Sequence, residues 1–198
     1  MSKIQVMSEN LANKIAAGEV VERISSVVKE LVENAIDAKS KTIIVDLVES
    51  GTKSITVIDD GIGMDEVDAK KAFIRHATSK LLKEDDLFFI NTLGFRGEAL
   101  PSIASVSKVD MRTSLKNGVG THLHIEGGNL VIEEKSDARE GTRIEVADLF
   151  FNTPARLKYL KSDATELSNV TTFIEKLALS HPDISFTLTN NGKRIVFT

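Results

Sequence analysis

Residues 41–61, "KTIIVDLVESGTKSITVIDDG", alternate apolar and polar side chains on both sides of "ESGTK". Successive side chains of a strand point to opposite faces, so each half is a strand with one face to bury and one to leave in water. The turn between them makes an antiparallel pair. A sheet of that kind needs a covering layer on one side only. Further strand patterns follow at "KVDMRTS", "THLHIEGG", "NLVIEEK" and "TRIEVADLF", and the chain closes on a hairpin, "SFTLTNNGKRIVFT". Helices are expected at residues 25–38 and 65–74, in "GEALPSIASVS", and near 153–161 and 163–180. Pro101 falls early enough in its helix for the first turn to accept it. This order places the helices on one face of a mixed, mostly antiparallel sheet, an α+β two-layer sandwich. No repeat, low-complexity tract or linker interrupts it, and the 198 residues read as a single domain, 1–198.

The absence of Cys excludes disulfides, thiolate zinc sites and cysteine nucleophiles, so any metal falls to oxygen ligands or to four scattered His. A net charge of −4 argues against a protein coated in positive charge for nucleic acid. One basic cluster stands out in "ARLKYLK", where Arg156, Lys158 and Lys161 crowd a short helix with Tyr159. It reads either as a solvated helix face or as a weak, non-specific DNA contact. No apolar run is long enough to span a membrane, and "MSKIQVMSENLANK" lacks the apolar core of a signal peptide. The expectation is no membrane and a cytoplasmic location.

The helix at 25–38 carries the first chemical signal. Val27, Val28, Leu31, Val32, Ala35 and Ile36 recur at helical steps, and Glu30, Glu33, Asn34 and Asp37 recur at the same steps on another line. Lys29 is the one cation beside them. Such a stripe is either the solvated face of an amphipathic helix or a set of oxygen ligands for a hard cation, with a carboxylate to take a proton from water. "DDGIGMD" ends a strand at Asp59 and continues with Gly61 and Gly63. It reads as a plain Asp-Gly turn, or as a carboxylate that accepts from an exocyclic amine while a flat ligand lies on bare backbone. "TLGFRGEAL" runs from Gly94 and Gly97 straight into a helix, which is either a structural connection or a cradle of backbone N–H groups for phosphate. The aperiodic stretch 75–97 before it is long for a connection inside a compact domain.

Taken in order and spacing, "ELVENAIDA", "DDGIGMD", "TLGFRGEAL" and "GTRIEVADLFFNTPARLKYL" resemble the four motifs of the GHKL ATPases, the superfamily of DNA gyrase, the Hsp90 chaperones, the histidine kinases and MutL. Within it, "NKIAAGEVVER", "RHATSK", "GFRGEAL" and "LFFNTPAR" resemble the amino-terminal region of the bacterial MutL mismatch repair family, from about residue 4 to the end of the chain. The resemblance implies the Bergerat ATP-binding fold, with ATP and Mg2+ as ligands. It makes Glu30 the general base and Asn34 the Mg2+ ligand, with Asp37 and Ala38 beside them. It sets Asp59, Gly63, Met64 and Thr142 around the adenine. Thr78, Ser79 and Lys80 fall in a lid over residues 75–97, ordered by nucleotide. Gly94, Phe95, Arg96, Gly97, Glu98, Ala99 and Leu100 wrap the phosphates.

The partners it implies are a second copy of the chain, paired on ATP binding through "IAAGEVV", the mismatch-recognition protein MutS, a downstream nuclease or helicase, and DNA held weakly. In bacteria the location would be the cytoplasm, by the nucleoid. None of His76, His122, His124 or His181 sits in a phospho-accepting helix, which argues against a histidine kinase. Two departures from the family pattern matter. Ile24 stands where the family usually shows Pro, a change expected to loosen the helix entry without touching the site. Nothing matches the second ATPase subdomain, which in the family supplies a lysine to the γ-phosphate, or a carboxy-terminal dimerisation domain. Two readings follow: an ATPase switch, favoured by Glu30, and a nucleotide-holding interaction module with little turnover.

Overall fold

The computed structural model describes residues 5–7, 15, 17–78, 93, 94 and 97–198. After a helical stretch at 17–20, helix α1 (Ile24–Asp37) buries Ile24, Val27, Val28, Leu31, Val32 and Ala35, at the spacing read from the sequence. Burial of such side chains is worth roughly 1.5–3 kcal/mol each relative to exposure, which holds a helix whose N-terminus has no side-chain cap. Ile24, in the place of the family's Pro, is fully buried, and a Cβ on Gly51 would come within 2.6 Å of its Cγ2. Strands β1 (Thr42–Val48) and β2 (Ser54–Asp59) follow as the expected antiparallel pair, joined through a single 3-10 turn at Glu49–Gly51. Helix α2 (Glu66–Lys71) is capped by the Asp65 carboxylate, which accepts from the Asp68 amide. Helix α3 (Ala99–Ser105) leads into strands β3 (Lys108–Ser114), β4 (Gly120–Glu126), β5 (Asn129–Ser136) and β6 (Gly141–Ala147). Helices α4 (Pro154–Leu157) and α5 (Asp163–Ser180) and the hairpin β7 (Ser185–Asn190) and β8 (Lys193–Phe197) complete the described residues.

The eight strands form one sheet in the order β5-β4-β3-β6-β2-β1-β7-β8. β1 and β7 run parallel and the other neighbours antiparallel, the mixed, mostly antiparallel sheet of an α+β sandwich. Val109 and Met111 of β3, Ile144 and Val146 of β6, Ile55 and Val57 of β2, and Ile43, Val45 and Leu47 of β1 turn to the helical layer. The alternate residues Lys108, Asp110, Arg112, Arg143 and Glu145 line the open face. Helix α4 is the one element that falls well short of expectation. Pro154 starts it, but it buries no residue, and without an apolar face to dock it stops at Leu157. Lys158 therefore caps its end, Lys161 lies beyond it, and Tyr159 stands 82% exposed.

Candidate functional site

The C-terminal end of α1 is stitched to the end of β2. Lys39, at φ 65°, turns the chain out of the helix, and the buried Ser40 hydroxyl then lies 2.7 Å from the Ala35 carbonyl and 3.1 Å from Asp59 Oδ1. The Ile62 amide donates to the Ala38 carbonyl across the same seam. Asp59 Oδ1 also accepts from the Gly61 amide at 2.9 Å. Burial raises the Asp59 pKa above the usual carboxylate range, against the pull of bonds from the Gly61 and Thr142 amides and Ser40. Its neighbour Asp60 moves the other way. Burial opposes it there too, but the Thr42 and Lys41 amides, at 2.8 and 2.7 Å, outweigh burial and lower its pKa. Of the adjacent pair, one carboxylate anchors the start of β1 and the other stands at the site.

Glu30, Glu33, Asn34 and Asp37 lie along α1. Lys29 Nζ lies 3.6 Å from Glu30 and 3.4 Å from Glu33, whose side chains are 22% and 13% exposed. Burial raises the Glu33 pKa despite Lys29, with Glu30 and Asp37 adding to the shift. The sequence places Glu33 in the stripe, while the family resemblance gives it no role of its own. Asp37 accepts from the Leu93 and Gly94 amides at 3.0 and 3.1 Å, so the stripe reaches the start of the "GFRGEAL" loop. At the other end of that loop the Gly97 carbonyl accepts from the His76 amide at 3.0 Å. Gly97 has φ +61°, and a Cβ there would lie 2.5 Å from the Ala77 carbonyl. Glu98, Ala99 and Leu100 begin α3, with Glu98 at the N-cap and 3.4 Å from His76. Of the expected site residues, Ser79, Lys80, Phe95 and Arg96 lie outside the described residues, as does most of the expected lid.

Gly63 is glycine for a local reason: at φ +66° a Cβ would sit 1.9 Å from the Ser114 carbonyl. Next to it the Met64 amide donates to Thr113 Oγ1 at 3.0 Å, and Thr113 Oγ1 lies 3.0 Å from Thr142 Oγ1. The strand register pairs Asp59 with Thr142 and Thr142 with Thr113, so the three share one cross-strand row on the helix-covered face. Sequence reading found Asp59 and Thr142 but neither Ser40 nor Thr113. The signal that could have found Thr113 is its place in "KVDMRTS", an inward polar residue after inward Val109 and Met111. Arg156 packs against the amino-terminal segment: its Nη2 lies 3.5 Å from the Ile15 carbonyl, and a Cβ on Gly18 would collide with it.

Among the described residues no group of three or more His, Cys, Asp and Glu could hold a metal ion unaided. The α1 stripe offers the carboxylates of Glu30, Glu33 and Asp37 and the Asn34 amide oxygen, hard donors of the kind a divalent cation takes. No helix among the described residues is long and apolar enough to cross a membrane.

Residues 22–147 match the family model described as histidine kinase-, DNA gyrase B- and HSP90-like ATPase. The chain is 57% identical over 198 residues to the DNA mismatch repair protein MutL of Bacillus licheniformis and 59% identical over 198 residues to that of a Geobacillus species. Both alignments cover all of this chain but only 31% and 32% of those relatives, so the chain spans about a third of their length. Among solved structures it is similar to the Aquifex aeolicus MutL ATPase domain complexed with ADP, at 34% identity and TM-score 0.75. That match covers 90% of this chain and 64% of that one. It is also similar to the N-terminal domain of a DNA repair protein, at 29% identity and TM-score 0.80, covering 94% of this chain and 56% of that one. The chain belongs to the histidine kinase-, DNA gyrase B- and HSP90-like ATPase family, and its likeness within that family is to the amino-terminal ATPase region of MutL.

Proposed function

We propose that this chain binds ATP with Mg2+ and hydrolyses it to ADP and phosphate as the ATPase switch of a MutL-type mismatch repair protein. The observation that carries the reading is Asp59. It is a carboxylate kept partly out of water at the end of a central strand, tied through Ser40 to the helix that bears Glu30 and Asn34. A polar group held at such a cost is matched when a ligand donor reaches it, and the exocyclic amine of adenine is such a donor. Gly63 and Met64 follow Asp59 in the turn over which the base would lie, and Thr142 is its partner across the strands.

Glu30 accepts the proton of the attacking water, and the Asn34 amide oxygen would hold Mg2+, which would supply charge neutralisation for the phosphates. Asp37 sets the path of the loop by gripping the Leu93 and Gly94 amides, and Ala38 lends its carbonyl to the same corner. The backbone of Gly94 and of Gly97 to Leu100 is then the candidate cradle for the phosphates. Positioning and neutralisation are most of what this chemistry needs, so one carboxylate base suffices.

The resemblance extends the proposal to pairing of two copies on ATP binding, and to work with MutS and a downstream nuclease or helicase. DNA would be met weakly by the exposed Lys158 and Lys161, with Arg156 engaged against the amino-terminal segment. Single-turnover ATP hydrolysis, measured with Mg2+ and with excess chelator beside a binding titration, tests the enzymatic core. Mg2+-dependent turnover supports it. ATP binding without turnover favours the interaction-module reading, and absence of binding overturns both.

A further inference from the structure

Thr113 Oγ1 has three polar neighbours. The Met64 amide donates to it at 3.0 Å, the Gly141 carbonyl accepts from it at 3.0 Å, and Thr142 Oγ1 lies 3.0 Å away. A hydroxyl has one proton and two lone pairs. The proton goes to the Gly141 carbonyl and one lone pair to Met64, so a lone pair alone is left for Thr142. Thr142 must then be the donor of that bond. Its single proton is spent on Thr113, and its Oγ1, on the residue paired with Asp59 across the strands, is left with lone pairs alone.

The bond that commits the Thr113 proton is itself held in place. Gly141 has φ +112°, and a Cβ there would lie 2.1 Å from the Asp59 carbonyl, so its backbone is seated against β2 and its carbonyl has little freedom to turn away. Thr113 is fully buried, so water does not compete for its proton.

We infer that Thr113 is a specificity-positioning residue: by fixing the proton of Thr142 it makes Asp59 and Thr142 a pair of acceptors, which selects a nucleotide base with an amino group and rejects one with a carbonyl at that position. This rests on the nucleotide reading of the site. It deepens that reading by assigning the choice of base to a residue that need not touch the ligand. An acceptor facing a carbonyl oxygen strands two lone-pair groups together, and sites built for hydrogen bonding reject such a mismatch strongly.

The test compares ADP with inosine diphosphate, which carries a 6-oxo group in place of the 6-amine, by equilibrium titration in Mg2+. The proteins are the wild type, Thr113→Val, Thr113→Ser, Thr142→Val and the double variant T113V/T142V. The wild type should prefer ADP by about tenfold or more. In Thr113→Val the Thr142 proton is released to meet a carbonyl, so inosine diphosphate should gain and the ratio should fall to within about threefold, while Thr113→Ser keeps it. Adding Thr113→Val to Thr142→Val should leave the ratio where Thr142→Val alone sets it. Should the valine variant melt too early, Thr113→Cys, whose thiol is a poor acceptor for the Thr142 proton, gives the same comparison. Equal weakening of both nucleotides with the ratio unchanged means that Thr113 is only structural, and overturns the inference. A wild type without preference for ADP overturns the assignment of Asp59 to the base, and the inference with it.

Discussion

The same central strands carry two polar regions, one on each face of the sheet, and they solve opposite problems. On the open face charges answer charges: Arg143 meets Glu145 at 2.6 Å, Lys108 meets Asp148 at 2.9 Å, and His122 lies between Asp110 at 2.7 Å and Glu134 at 2.8 Å. On the helix-covered face Asp59 is answered by dipoles alone, the Ser40 hydroxyl and the Gly61 and Thr142 amides, and burial still raises its pKa. The open face also holds a cleft of about 500 Å³, lined by Lys108, Asp110, Arg112, His124, Arg143 and Glu145, yet its charges are largely spent on one another. A polar cluster that satisfies itself needs no ligand, whereas one left short of its natural partners is where a ligand supplies what is missing. Substitutions on the two faces should therefore divide function from stability.

The largest effect is expected on the covered face at Glu30. Glu30→Ala should slow single-turnover ATP hydrolysis by about a hundredfold or more while nucleotide affinity stays within about threefold, because the base acts only in the transition state. Hydrolysis at the wild-type rate would move the base elsewhere on the stripe, with Glu33 the next carboxylate to test.

Asp59→Asn should come next and should move binding and stability in opposite directions. Replacing the acceptor that meets the base amine should weaken ADP by about 2 kcal/mol, roughly thirtyfold. The apo protein should melt higher, since a carboxylate with a raised folded-state pKa contributes stability that is present at low pH and lost as pH rises through that value. The gain in melting temperature should accordingly be seen at neutral pH and fade as the solution is acidified toward the usual carboxylate range. A variant that loses both binding and stability would mean that Asp59 holds the fold rather than the ligand.

Gly63→Ala tests the floor between them. With φ +66° and the Ser114 carbonyl 1.9 Å from the new methyl, loop 60–64 must shift, at a cost of about 1–3 kcal/mol. ADP affinity and melting temperature should fall together, and an unchanged melting curve would show that this loop adapts freely.

The division between faces also explains which parts were legible in the sequence. Strand periodicity found the elements on both sides of the sheet because each strand buries one face only, and α1 was legible from the spacing of its six buried residues. The span 153–161 over-read a helix because "PARLKYL" has helical composition but no face that docks, and composition alone does not hold about two and a half turns. Strand order was hidden: β1 pairs with β7, as Thr42 with Ser185, across most of the chain, and nothing local encodes that neighbour. Asp59 and the α1 stripe were legible because their charge stands out on apolar elements. Ser40 and Thr113 were not, since a lone hydroxyl acquires its meaning only when register sets it beside a partner. Glu33 was legible as part of the stripe, but its burial depends on what α1 packs against.

The smallest effect is expected on the open face at His122. Burial works to lower the pKa of this imidazole, but its hydrogen bonds to Asp110 and Glu134 outweigh that, and the pKa is raised above 6.5. A raised histidine contributes stability that is fully present below its unfolded value and is lost as pH rises through the folded one. Other charges beside this cluster are Arg112, which opposes the shift, His124, 3.7 Å from Asp110, and Arg143, 3.9 Å from Asp110. His122→Gln keeps a neutral hydrogen-bonding group but gives up the charge-assisted part of two bonds, a loss of about 1 kcal/mol. That corresponds to about 2–4 °C in melting temperature for a domain of this size. The gap between variant and wild type should be widest at pH 6 and should close as pH rises past the raised value. Asp59 and Glu33 are present in both proteins, so their own titrations cancel in the difference. ADP affinity should be unchanged at either pH, since His122 lies on the face turned away from Asp59. A pH-independent gap would show that His122 holds β3, β4 and β5 together through packing, and a change in ADP affinity would show that the two faces are coupled through the strands they share.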